Sequence, residues 1–120
     1  MQTTEVKTLG QSSNLFTAFH RDMLIDVATR IRAVEPTSDV VLFGSRARGD
    51  AREDSDWDLL ILTEGPPTAE RRLAVRRVLR SYSLDEETEL RLVFLARSRY
   101  EDGEGLNSFL YNVDQDAIWL

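Results

Sequence analysis

Two short apolar runs, each bounded by a different kind of polar residue, set the terms for what this chain can fold into. The first, Val40-Val41-Leu42-Phe43, stops at Gly44-Ser45, and the second, Leu59-Leu60-Ile61-Leu62, is entered through Asp56-Trp57-Asp58. Runs this short, closed off by turn residues, read as buried strands rather than helices. Alternate residues of a strand share a face, so Asp56 and Asp58 project together while Trp57 points the other way. Two carboxylates on one face form a pair of oxygen donors suited to a divalent metal.

The rest of the chain alternates around these runs. Leu15, Phe19, Met23, Val27 and Ile31 recur at helical spacing and predict a helix over residues 14–34, capped by Ser12 and Ser13 and stopped by Pro36. A strand over Asp39–Phe43 leads to a short helix at Ser45–Arg48, a polar loop over 49–55, and a second strand over 56–63. Pro66 and Pro67 then break the chain, and Thr68 caps a helix over 69–82. This helix carries Arg71, Arg72, Arg76, Arg77 and Arg80, which read as a solvated basic face ahead of a binding surface. A third strand is expected over 89–96, with Leu90, Leu92 and Phe94 on one face and Glu89, Arg91, Val93 and Leu95 on the other. Gly103 and Gly105 mark a loop before a last short helix over 106–113. Alternating strands and helices give an α/β (α+β) chain, a small sheet covered by helices.

With 120 residues, the chain fits a single domain spanning 1–120, with residues 1–12 as a flexible leader. The absence of cysteine excludes disulfides and thiolate zinc sites, and His20, the sole histidine, cannot form a histidine cluster. No apolar run approaches the roughly 20 residues that cross a bilayer. The N-terminus also lacks a charged head followed by an apolar core, so a soluble cytoplasmic protein without membrane contact is expected. A net charge of −6 argues against strong nucleic-acid binding. Lys7 is the only lysine, so a phosphate would be held by arginine, hydroxyl or backbone N–H groups. A Gly-Ser turn at a strand end offers such groups: Gly44 permits close backbone approach, Ser45 supplies a hydroxyl, and Arg46 and Arg48 follow with guanidinium groups.

Asp-x-Asp and Gly-Ser are each common. Together, with ten residues between Ser45 and Asp56 and an apolar run on each side, they resemble the DNA polymerase β superfamily of nucleotidyltransferases. GSRARGDAREDSDWDLLIL is similar to the GSxARG...SDxDLxV signature of its minimal nucleotidyltransferases, and NSFLYNVDQDAIWL resembles their closing segment. The resemblance implies a nucleotidyltransferase fold with a small mixed sheet backed by helices. It implies Mg2+ held by Asp56 and Asp58, and nucleotide phosphates contacted by Gly44 and Ser45. The implied reaction moves a nucleoside monophosphate, AMP from ATP or its counterpart from another NTP, to a hydroxyl and releases pyrophosphate. Minimal nucleotidyltransferases commonly act as antitoxins that attach AMP to a tyrosine of a small helical HEPN-domain toxin, so such a protein is the implied partner; oligomerisation is a further possibility.

One position departs from the family pattern. Active members place a third carboxylate on a later strand, and alignment by apolar residues puts Arg91 there. A guanidinium can neither hold a metal nor accept the proton of an attacking hydroxyl. Glu89, two residues earlier on the same face, is the candidate replacement, with Asp85, Glu86 and Glu87 further off in the preceding connection. The alternative to catalysis is a module that keeps the nucleotide fold and binds a protein partner without turnover. A sugar-nucleotide transferase, which also uses Asp-x-Asp, would leave the Gly-Ser turn without a role, and a polynucleotide polymerase would need a second domain.

Overall fold

A computed structural model describes residues 7–83, 88–102 and 107–120. Its elements, in order, are β1 (Lys7–Thr8), a 3-10 turn (Ser13–Leu15), α1 (Ala18–Val34), β2 (Asp39–Phe43), α2 (Ser45–Arg48), β3 (Trp57–Thr63), α3 (Ala69–Val78) and α4 (Arg80–Ser83). They are followed by β4 (Leu90–Ala96), α5 (Arg97–Asp102), α6 (Asn107–Asp116) and β5 (Ile118–Trp119). The strands form one five-stranded mixed sheet in the order β1-β5-β2-β3-β4. β2 and β3 are antiparallel, with Phe43 opposite Asp58, whereas β3 and β4 are parallel, with Asp58 opposite Arg91. Parallel neighbours need a crossover, which here runs through α3 and α4.

The period-two pattern of the central strands divides the core between the two sheet faces. Val40, Leu42, Trp57, Leu59 and Ile61 face α1 and α3, where they meet Leu24, Val27, Ile31 and Val75, all fully buried or nearly so. Val41, Leu60 and Leu62 face the other way and pack with Leu110 and Val113 of α6. Because both faces are covered, β2 and β3 read as nearly unbroken apolar runs rather than as alternating strands.

The first helix begins later than its apolar spacing suggests. It starts at Ala18 rather than near Asn14, and Thr17 caps it, its hydroxyl oxygen accepting the N–H of His20 at 3.0 Å. Leu15 and Phe19, expected on the buried stripe, are exposed, and Leu24 and Ala28 take their place beside Met23, Val27 and Ile31. Thr68 caps α3 as expected, accepting the N–H of Arg71. The helix expected over 69–82 is interrupted at Leu79, whose buried side chain packs into the core while its backbone leaves helical geometry at φ −102 and ψ 11. Residues 7–12, expected as a leader, include an edge strand: Lys7 and Thr8 pair with Ile118 and Trp119. Residues 1–6, Asp85 to Glu87 and the Gly103 and Gly105 loop lie outside the described residues. The helices are also tied to one another by polar contacts. Arg71 reaches Glu35 at the end of α1 with its Nη2 2.5 Å from Oε1, and also donates to the carbonyls of Glu64 and Pro66. The Tyr82 hydroxyl donates to Asp26, and burial together with that bond pushes its pKa up to about 12.

Candidate functional site

The site forms where β2 ends and β3 begins. Gly44 leaves β2 with φ 79 and ψ −160, a conformation that side-chain-bearing residues rarely adopt. There is a second reason for glycine here: a Cβ at this position would run into Oδ2 of Asp58 and come within 3.3 Å of its Cγ. The turn therefore presses its backbone directly against the Asp58 carboxylate. Ser45 then opens α2, whose carbonyl ladder starts with Ala47 and Arg48 donating to Gly44, and its hydroxyl makes no hydrogen bond among the described residues.

Asp58 lies on β3 and Asp56 just before it, and both project to the α6 side of the sheet, as alternation requires. Burial raises the Asp58 carboxyl above the ordinary carboxylate range, and Asp56 adds to the rise while Arg91 and Arg48 oppose it. Between the two aspartates, Trp57 turns to the opposite face and is only 2% exposed. Phe16 and His20 pack against its ring, and the Arg46 guanidinium lies 4.4 Å from its centroid. Burial, and then the charge of Arg46, lower the pKa of His20.

Arg46 and Arg48, expected to face phosphate, both have protein partners. Arg46 donates to the carbonyls of Ser55 and Glu53, so it fastens the loop between α2 and β3 while stacking on Trp57. Arg48 pairs with Asp50 at 3.2 Å and with Asp116 at the end of α6 at 2.9 Å. The Asp116 partnership spans 68 positions and has no local signature in the sequence. Glu89 is exposed, and its backbone carbonyl accepts the N–H of Trp57. Among the described residues no group of three acidic or histidine side chains comes together, so Glu89 does not complete a triad with Asp56 and Asp58.

Arg91, the residue expected at the third position, is the register partner of Asp58 in the β3–β4 ladder. Its Nε lies 3.7 Å from Oδ1 of Asp58 and its Nη1 3.8 Å from Oδ2 of Asp56. Apart from these ion pairs, neither carboxylate has a side-chain partner among the described residues. Two carboxylates with free lone pairs, beside a backbone turn that leaves no room for a side chain, fit a magnesium ion that completes its shell with phosphate oxygens and water. A separate depression of about 350 Å³, lined by Pro66, Phe94 and Arg99 among others, opens at the far end of β3 and β4. It has no part in this site.

The sheet order, the Gly-Ser turn and the aspartate pair together describe a nucleotidyltransferase fold. The chain matches the family of that description, the nucleotidyltransferase domain, over residues 24–106, and it belongs to this family. Over 45 residues the chain is also 47% identical to a protein of Methanocaldococcus jannaschii named "Putative protein adenylyltransferase". That match covers 38% of this chain and 46% of the relative, so the chain spans less than half the length of that protein. No helix among the described residues is long and apolar enough to cross a membrane.

Proposed function

We propose that this chain transfers AMP from ATP to a hydroxyl group of a protein, and that it does so as the antitoxin of a small helical HEPN-domain toxin. The observation that carries the transfer reading is the Asp56 and Asp58 pair set against the Gly44-Ser45 turn in a member of the nucleotidyltransferase family. The relative's printed name supports ATP and a protein as the two substrates. The HEPN partner rests on the resemblance of the signature and closing segment to those of minimal nucleotidyltransferases.

In this reading Gly44 brings backbone N–H groups close to the triphosphate, and the Ser45 hydroxyl donates to a phosphate oxygen. Asp56 and Asp58 would hold Mg2+, which would supply charge neutralisation at the phosphoryl oxygens. Arg46 is a positioning residue that keeps the loop over residues 49–55 folded back on Trp57. The acceptor hydroxyl oxygen attacks the α-phosphorus and gives up its proton to solvent, the bond from that phosphorus to the oxygen bridging to the β-phosphate breaks, and pyrophosphate leaves with the bonding pair. Since the protein's share is positioning and electrostatics, loss of either aspartate removes roughly a thousandfold in rate or more.

The test is co-expression with a HEPN-domain protein, followed by incubation with magnesium and ATP labelled in the α-phosphate. Label on the partner, abolished by Asp56→Asn, is expected; no label on a verified partner would overturn the reading. The Arg91 contacts with both aspartates favour a second reading, a module that binds its partner without turnover. In that case calorimetry finds the partner bound equally well after both aspartates are replaced, and no pyrophosphate is released.

A further inference from the structure

The two oxygens of Asp58 face different neighbours. Oδ2 lies against the Gly44 turn, where a Cβ would collide with it, and Oδ1 faces the Arg91 guanidinium from β4. The same guanidinium reaches across to Asp56, so a single cation spans both carboxylates on the β4 side. Register fixes its place: Arg91 sits directly opposite Asp58 in the parallel ladder, and a slip of one residue would send it to the other face. At 3.7 and 3.8 Å the contacts are ion pairs rather than hydrogen bonds, and the arginine side chain remains 67% exposed against 20% for Asp58. The guanidinium therefore neutralises the pair without locking onto it, and it keeps its five N–H donors available for phosphate oxygens.

We propose that Arg91 is the resident second cation of this acidic pair. It holds the β4 side of Asp56 and Asp58, where a second divalent ion would otherwise sit, and it restricts the site to one divalent ion. During nucleotidyl transfer its guanidinium pairs with phosphate oxygens of the triphosphate, a part of the inference that rests on the proposed function. The missing third carboxylate and the arginine are then one change rather than two. With two carboxylates only, a second dication would be poorly neutralised, and a fixed monocation balances the pair instead.

The test is titration with Mn2+ alone, followed by electron paramagnetic resonance, on the wild-type chain and on Arg91→Gln, Arg91→Lys and Arg91→Asp. The wild type and Arg91→Lys are expected to bind one ion with similar affinity. Arg91→Gln, which removes the charge and leaves a shorter neutral amide, should bind Mn2+ about tenfold more tightly, since the guanidinium beside both carboxylates opposes a dication held by them. Arg91→Asp should take up two ions close enough to broaden each other's spectra. Two coupled ions in the wild type, or unchanged affinity in Arg91→Gln, would overturn the proposal, and Arg91→Gln decides it alone where Arg91→Asp fails to fold. Adding the α,β-methylene analogue of ATP to the same samples tests the underlying reading separately. If the wild type binds no analogue, nucleotidyl transfer fails, while the metal titration still decides the role of Arg91.

Discussion

Asp58 is held where an unmated carboxylate is costly. Burial raises its pKa against the opposing charges of Arg91 and Arg48, so the folded state disfavours the ionised form that metal binding requires. Replacing it with the neutral isostere should therefore separate stability from function. Asp58→Asn is expected to abolish transfer and yet raise the melting temperature, the usual signature of a site held against the fold's own preference. Thermal unfolding monitored by circular dichroism checks this, and a lower melting temperature would mean that the Arg91 contact outweighs the burial. Gly44 has the complementary role. Its positive φ and the press of its backbone on Asp58 leave no room for alanine, so the turn and the carboxylate are fixed as a unit.

Among the elements, β3 shows how one strand serves two faces at once. Trp57 anchors the aspartate pair from behind, packed by Phe16, His20 and Arg46. Trp57→Ala is expected to cost about 3–5 kcal/mol as a buried aromatic truncation. It should also free the loop that Arg46 fastens, which limited proteolysis near Arg52 would detect as earlier cleavage. The alternation of Asp56, Trp57 and Asp58 made this division readable from sequence, as did the Gly44-Ser45 stop and the cap at Thr68. Long-range partnerships were not readable: nothing local marks Asp116 as the partner of Arg48, or Glu35 as that of Arg71. The two-residue strands β1 and β5 escaped for a related reason, since so short a run has too few residues to show a period and exists only because its neighbours complete the ladder. Leu15 matched a helical stripe but precedes the helix that Thr17 caps, and Phe19, in the first turn of that helix, still lies exposed.

For the molecule as a whole, the sheet order matters more than its size. β5 lies between β1 and β2, with Ile118 fully buried and the N–H of Leu120 donating to the carbonyl of Val40. Deleting residues 117–120 removes that wedge and leaves β1 without a neighbour. The expected loss is at least about 3–5 kcal/mol, a large share of the margin of a domain this small. Urea unfolding would register it as a lower midpoint, and an unchanged midpoint would mean that the central strands hold the fold without it. β5 also bears on how the protein is made. A ribosome delivers β2 long before β5, so the growing chain carries the flank of β2, with Val41 and Leu42, uncovered until residue 119 has cleared the exit tunnel. Closure of the sheet thus waits for β5, and a chain stalled before it would present a ready strand edge for pairing with another copy.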